Sequence, residues 1–328
     1  MPESKPSLIA TTPASQFGTS DPVFMWKPFL PYKKLVVLQG ESGIGKSSFI
    51  LNIAALLSKG EPMPFEPADS RRDVGDILYF NNEDDIEETI NPRLIATGAD
   101  LDRFHLVSEA FYLDNDSSRL EATIKELKAR LVIIDPLTSF LSNNHNMNTA
   151  QSVGNLMRTL SRVASATDSV IVVVCHLTKN ATGKEIDRHL GSSDIINAAR
   201  SVISVTRDRD DSDVVIVKHL KCTLEKRARP FYYEIIGNGM LEFAECMDEE
   251  AYSEQIPVTK NEMVQEQILS MIADGPQDST KVYGAIESTG VSRGTIYTAK
   301  KDAAVLSKKM GHGWVWYLPG QDANASKN

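Results

Sequence analysis

Cysteine is scarce in this chain. Cys175, Cys222 and Cys246 are the three among 328 residues, far apart and with no C-x-x-C pair. That spacing offers neither a disulfide framework nor a zinc site, and it suits a reducing cytoplasm. Long apolar runs are missing as well: no stretch approaches the ~20 residues needed to span a bilayer, so no membrane partner is expected. Met1 to Ala14 are rich in Pro, Ser and Thr and lack the apolar core of a signal peptide. They read as part of a flexible leader over 1–21. Net positive charge is absent too. A formal charge of −9 argues against a surface that coats DNA uniformly, yet leaves room for a local basic channel or a small DNA-reading domain. There is no internal repeat and no long low-complexity segment.

What is present is more telling. Gly40-Glu41-Ser42-Gly43-Ile44-Gly45-Lys46-Ser47 reads G-x-x-x-x-G-K-[ST], the phosphate-binding loop. Leu35–Leu38 before it has strand character, and Ser48–Leu57 after it has the spacing of a buried helix. Strand, glycine loop and helix together aim backbone N–H groups and a helix N-terminus at a triphosphate. Residues 40–48, Ser48 included, are therefore the expected ATP-binding segment. Lys46 would neutralise β/γ charge, and the Ser47 hydroxyl would ligate Mg²⁺.

Apolar runs of β type recur from residue 35 to 240: Leu35–Leu38, Ile77–Phe80, Phe104–Val107, Leu131–Ile134, Val170–Cys175, Val202–Thr206, Val214–Val217 and Phe231–Ile236. Helix-like stretches (Ile86–Gly98, Ser117–Ala129, Ala150–Thr167) separate the earlier ones. This alternation predicts an α/β domain over 22–244 with a mainly parallel sheet covered on both faces. The last three runs follow one another without a long helix, which predicts an antiparallel extension at one edge. Residues 245–259 read as an acidic linker. Beyond it, helices are expected over Asn261–Ala273, Ser279–Ser288 and Arg293–Leu306, with Ser292 as an N-cap. A strand, Trp314–Leu318, follows a glycine turn. Three helices and a β-hairpin make a winged helix-turn-helix domain over 260–319, with a flexible tail over 320–328. Of Trp314 and Trp316, one is expected to pack on the helices and one to face outward.

Three strands end in groups that carry chemistry. Leu131-Val132-Ile133-Ile134-Asp135 is the Walker B pattern, and a parallel strand delivers its last residue to the sheet edge that holds the phosphate loop. Asp135 is expected to hold Mg²⁺ and position Ser47; its bland alternative is to cap the turn at Pro136. Ile77–Phe80 leads into Asn81-Asn82-Glu83-Asp84-Asp85. Glu83 is the expected group that orients and deprotonates the attacking water, Asp84 the weaker candidate, and all three carboxylates can serve equally as the acidic first turn of the next helix. Val170–Cys175 ends at His176, with Lys179 three residues on. His176 is placed to sense the γ-phosphate.

These motifs, in this order, together with Gly60-Glu61-Pro62-Met63-Pro64-Phe65, His176-Leu177-Thr178-Lys179, Arg188-His189-Leu190-Gly191-Ser192-Ser193 and Ala198-Ala199-Arg200, resemble the RepA-type branch of the RecA-like ATPases. That branch includes hexameric replicative helicases of plasmids and phages, and the resemblance covers about residues 22–240. It implies ATP and Mg²⁺ as cofactors and a homo-oligomeric ring, a hexamer. It also implies Glu83 as catalytic glutamate, His176 as sensor, and Lys46, Ser47 and Asp135 as the nucleotide–magnesium residues. Such rings place the site between subunits, so that a neighbour supplies a cation to the γ-phosphate. Lys218, Lys221 and Arg207 are the candidates and Lys221 the first choice. The family often carries Asn or Arg where this chain has Thr223, and that departure leaves the trans-acting residue open.

The family's channel loop would fall near Lys179, Lys184 and Arg188, a basic Gly-containing stretch able to track single-stranded DNA; its alternative is a plain surface loop. In the C-terminal domain, Arg293, Lys300 and Lys301 are candidate DNA contacts beside Ser292, Thr295 and Tyr297, with Lys308 and Lys309 opening the wing. Winged helices also dock proteins, so that choice stays open. The expected function is an ATP-hydrolysing motor on single-stranded DNA, with an ATP-gated regulator that does not unwind as the alternative. A small-molecule kinase would need an acceptor-binding lid that is not apparent in the sequence.

Overall fold

The structure is a computed structural model that describes residues 11–142, 150–177, 194–208, 211–245, 260–311 and 313–321. A short hairpin, β1 (Phe24–Trp26) and β2 (Leu30–Pro31), leads into β3 (Leu35–Gly40) and α1 (Lys46–Lys59). Then come β4 (Asp76–Asn81), α2 (Asn91–Ala96), β5 (Phe104–Leu106), α3 (Ser117–Leu127), β6 (Ala129–Asp135), α4 (Ala150–Ala166), β7 (Val170–His176) and α5 (Asp194–Ala198). The sheet continues with β8 (Ser201–Arg207), β9 (Val214–Cys222), β10 (Phe231–Ile236) and β11 (Met240–Glu245). A second compact unit begins at Glu254. It holds α6 (Lys260–Ile272), β12 (Gln277–Asp278), α7 (Ser279–Glu287), α8 (Arg293–Asp302), β13 (Leu306–Met310) and β14 (Gly313–Tyr317).

The main sheet has nine strands in the order β11-β10-β9-β8-β3-β7-β6-β4-β5. The six strands from β8 to β5 run parallel, and β9, β10 and β11 add an antiparallel flank. All eight apolar runs form strands, and β11 is a further one. It runs through Glu245, so that residue belongs to the sheet and not to the linker, whose remaining residues lie outside the described ones.

The parallel strands are near-continuous apolar runs because both faces are covered. On β3 the alternation is visible residue by residue. Val36 and Leu38 join the core beneath α1 and α2, whereas Leu35 and Val37 join the core beneath α3, α4 and α5. Each fully buried Val, Leu or Ile of this kind contributes about 1.5–3 kcal/mol, so burial on both faces holds the parallel strands in register.

The C-terminal unit packs α6, α7 and α8 over a three-stranded antiparallel sheet, β12-β14-β13, around Val264, Ile268, Ile286, Ile296 and Trp316. Ser292 caps α8, its hydroxyl accepting from Thr295 N. Helix α8 is shorter than its sequence pattern predicts. It ends at Asp302, the chain turns through Ala304 at φ +53°, and Leu306 opens β13. The apolar residues that extend the helical pattern, Val305 and Leu306, instead close the core and start a strand. Trp316 is buried and Trp314 is 51% exposed. Among the described residues, no helix is long and apolar enough to cross a membrane.

Candidate active site

The phosphate loop joins β3 to α1 at the carboxyl edge of the parallel strands. Gly40, the last residue of β3, has no room for a side chain, because a Cβ there would lie 2.6 Å from the Val205 carbonyl of β8. Gly45 stands at φ +99° as the N-cap of α1, and a Cβ on it would meet Ile235 Cδ1 at 2.9 Å. Both glycines let the loop lie tight on the sheet at the N-terminus of α1. Tyr233 Oη on β10 donates to Gly45 O at 3.3 Å. Asn52 ties α1 to the β10–β11 turn, donating to Gly239 O and accepting from Leu241 N. Ser48 lies buried beneath that turn.

Lys46 is 4% exposed. Its ammonium donates to Gly40 O at 3.0 Å, to Glu41 O at 2.7 Å and to His176 Nδ1 at 3.2 Å. Burial pushes the ammonium down to about 8, with Asp135 the main opposing influence. His176 enters the site because β7 pairs with β3 in the register Gly40↔His176. Its pKa is lowered by burial first and by Lys46 second. A ring that accepts through Nδ1 is neutral and carries its hydrogen on Nε2, which makes it a donor toward an incoming anion. Cys175, one residue earlier, is a buried thiol pushed up to about 12 by desolvation, and so stays protonated.

Asp135 ends β6 and is 4% exposed. Burial raises its pKa, while hydrogen bonds from Ser47 and Tyr79 and the nearby Lys46 hold it down. Tyr79 Oη donates to Asp135 Oδ2 at 3.2 Å and accepts from Asn81 Nδ2 at 3.1 Å. A buried carboxylate bonded to a hydroxyl on the first turn of a helix is a hard-oxygen pair, which suits Mg²⁺.

The loop after β4 is built by Asn81. Its Oδ1 accepts from Glu83 N at 3.1 Å and Asp84 N at 2.9 Å. The three carboxylates then separate. Asp85 caps the following wide helical turn through Glu87 N and Glu88 N. Asp84 pairs with Arg93 at 3.0 Å. Glu83 accepts from Ser139 Oγ at 3.3 Å and forms no ion pair among the described residues, while Asn82 Nδ2 bonds to Ser139 O. Ser139, in the turn after Asp135, thus fastens the β4 loop to the β6 loop. Its role, with those of Tyr79 and Asn81, was not foreseen from sequence. Asn81 alone carried a signal, as the Asx residue that opens Asn-Asn-Glu-Asp-Asp.

The three candidate cations on the late strands fall at different places. Arg207 ends β8 on the phosphate-loop edge and donates to Gly43 O of its own chain at 3.4 Å. Lys218 lies midway along β9, opposite Ser204. Lys221 pairs with Val202 at the start of β8, on the sheet edge opposite the phosphate loop. There its ammonium donates to Ile196 O at 2.8 Å and Asn197 O at 3.1 Å, two carbonyls near the end of α5. Lys179, Lys184 and Arg188, expected to contact DNA, lie outside the described residues. Arg293 pairs with Glu287 at 2.6 Å, and Lys300 donates to Ser307 Oγ at 3.0 Å and lies over the Trp316 ring. Lys301 is exposed. The structure therefore brings together Lys46, Ser47, Asp135, Glu83 and His176, and leaves Lys221 remote from them within one chain.

A family model described as an AAA domain matches residues 5–182, more than half of the chain. The DNA repair protein RadA of Halalkalibacterium halodurans is 27% identical over 165 residues, covering 48% of this chain and 32% of that protein. RadA of Streptococcus pneumoniae is 24% identical over 45% of this chain and 31% of its own. The DNA helicase/primase of Enterobacteria phage T3 is 24% identical over 58% of this chain and 38% of its own. The chain thus spans about a third of the length of these relatives.

Proposed function

Since the chain belongs to the AAA-domain family and carries a RecA-like ATPase core, we propose that it is an ATP-hydrolysing motor that assembles into a ring and acts on DNA, as a RepA-like replicative helicase or a repair ATPase. The observation that carries this reading is the meeting of Lys46, Ser47, Asp135, Glu83 and His176 at one sheet edge. The relatives named for DNA repair and for helicase/primase function support DNA as the polymer.

In this reading Lys46 gives up its hold on the Gly40 and Glu41 carbonyls for the β/γ oxygens of ATP, beside the N–H groups that open α1. Ser47 and Asp135 would hold Mg²⁺, which supplies positive charge to the same oxygens. Glu83, steadied by Ser139 Oγ, orients the attacking water and takes its proton. His176 Nε2–H reports whether the γ-phosphate is present. Lys221 lies too far from its own loop to serve it, so a γ-phosphate contact by Lys221 requires a second copy, as a ring provides. The Glu83 carboxylate, which forms no ion pair among the described residues and is bonded to a neutral hydroxyl, favours turnover over an ATP-gated switch. Strand displacement on forked DNA tests the motor directly. ATP-dependent displacement with turnover stimulated by single-stranded DNA is expected. Turnover indifferent to DNA, without displacement, would leave the switch standing.

A further inference from the structure

The C-terminal unit presents two exposed aromatic rings outside its hydrophobic core. Trp314 is 51% and Tyr297 62% exposed. They lie among cations: residues 293–310 contain Lys300, Lys301, Lys308 and Lys309, and Arg293, which is paired with Glu287, against one acid within that stretch, Asp302. Resting on the DNA reading above, we propose that helix α8 and the β13–β14 hairpin form a stacking surface for single-stranded nucleic acid, led by Trp314.

Register decides which groups share that surface. In an antiparallel pair, residues directly opposite project to the same face, and residues two apart on one strand do so too. Trp314 is opposite Lys309, and Trp316 is opposite Ser307. All four therefore lie on one face of the hairpin. Lys300 of α8 covers Trp316 at 5.1 Å and bonds to Ser307. Two residues toward the turn, the same face is uncovered, and Trp314 stands there beside Lys309. On α8, Arg293, Tyr297 and Lys301 recur at intervals of four, which puts them on one stripe, and Lys300 links that stripe to the hairpin. Lys308 and Asp278 are both opposite Val315 and so project to the other face. The Asp278 carboxylate is behind the sheet, held by Thr280 N at 2.7 Å. Asp302 is turned to Asn261 at 2.7 Å.

The chemistry that fits is a polyanion with unpaired bases. Cations spaced along a strip follow phosphates, and an exposed indole offers a flat face to a base, which a paired and stacked base cannot reach. The ATPase unit has no such group to offer where a channel loop is expected, because residues 178–193 contain no Phe, Tyr or Trp.

The test uses the intact chain and fluorescence anisotropy with a labelled oligothymidylate and a duplex of equal length. Trp314→Ala should weaken oligothymidylate binding roughly ten- to a hundredfold, the range one base on an aromatic ring supplies, and leave duplex binding nearly unchanged. Trp314→Phe should restore most of the loss. Lys309→Ala should lower the salt slope by about 0.7. Trp26 and Trp316 are buried, so quenching of intrinsic fluorescence by the oligonucleotide should vanish in Trp314→Phe. Unchanged oligothymidylate affinity in Trp314→Ala, or equal losses on both nucleic acids, overturns the proposal and leaves the motor reading intact. A wild-type chain that binds neither nucleic acid overturns both.

Discussion

Two histidines, the buried His219 and the half-buried His176, on opposite sides of the same sheet centre, show how differently a fold can hold polar groups. His219 on β9 is 5% exposed, and every partner it has is architectural. Its Nδ1 accepts from Ala228 N at 3.2 Å, its Nε2 meets Ser201 Oγ at 2.9 Å, and Phe29 packs on its ring. His176 on β7 meets an ammonium that is itself held by loop carbonyls which a triphosphate could replace. The first environment is complete without a ligand. The second is a set of provisional bonds among titratable groups whose pKa values are displaced mainly by burial. A buried polar group satisfied by the fold alone stabilises; one held by exchangeable partners is poised to react. The contrast sharpens through measurements on each side.

The largest effect is expected at Glu83. Glu83→Gln should reduce phosphate release roughly a hundred- to ten-thousandfold, the range for a general base, while ATP binding by filter retention persists. Asp84→Asn, which breaks only the half-exposed pair with Arg93, should change turnover by no more than about threefold, in line with the small worth of such pairs. Equal losses in the two variants would erase the distinction between a bonded carboxylate and an available one.

Next is Lys221, on the opposite sheet edge. Lys221→Ala should cost about a thousandfold in turnover if its ammonium completes a neighbour's site. The sharper experiment mixes subunits. Lys46→Ala and Lys221→Ala proteins, each inactive alone, should recover measurable ATP hydrolysis together, because a site between copies can then draw its loop from one and its cation from the other. A mixture as inactive as its components would confine Lys221 to capping α5.

A smaller effect follows from the Lys46 ammonium, held down to about 8. A bound triphosphate raises it. ATP affinity is therefore full below about pH 8 and should fall about tenfold per pH unit above it, until the bound form also loses its proton. Isothermal titration between pH 7 and pH 9.5 would read this directly, and a flat profile would mean that the ammonium is not displaced from its usual range.

Much of the phosphate edge was legible in the sequence because it is written in contiguous code: Gly40 to Ser47, then apolar runs that deliver Asp135, Asn81 and His176 to the same edge of the sheet. A parallel strand carries its last residue to a fixed edge, so a linear pattern becomes a position. The other side was not legible for the converse reason. His219, Ser201, Phe29 and Ala228 come from four separated segments, and no local pattern announces that they meet. Ser139 was missed for the same reason. In the C-terminal unit, helical periodicity ran on through Val305 and Leu306, although Ala304 at φ +53° had already turned the chain. An alanine gives no warning of that conformation, as a glycine would.

The least effect on chemistry, yet the clearest test of the contrast, belongs to His219. Burial lowers its pKa from 6.5 to about 4, with Arg227 adding to the shift and a backbone bond near Lys221 opposing it. The folded chain therefore keeps the ring neutral where the unfolded chain takes a proton. Its contribution to stability is complete above about pH 6.5 and is lost progressively as pH falls toward 4, by roughly 3 kcal/mol across that window. His219→Phe keeps the packing against Phe29 but strands Ala228 N–H and the Ser201 hydroxyl, at a cost of about 1–3 kcal/mol at pH 7. Chemical denaturation at pH 7 and pH 5 should show the variant weaker at the first and closer to wild type at the second, because only the wild type loses stability on the way down. ATP turnover per folded molecule should stay within about twofold of wild type. A variant that kept its stability but lost turnover would place His219 among the reactive groups and dissolve the distinction between the two histidines.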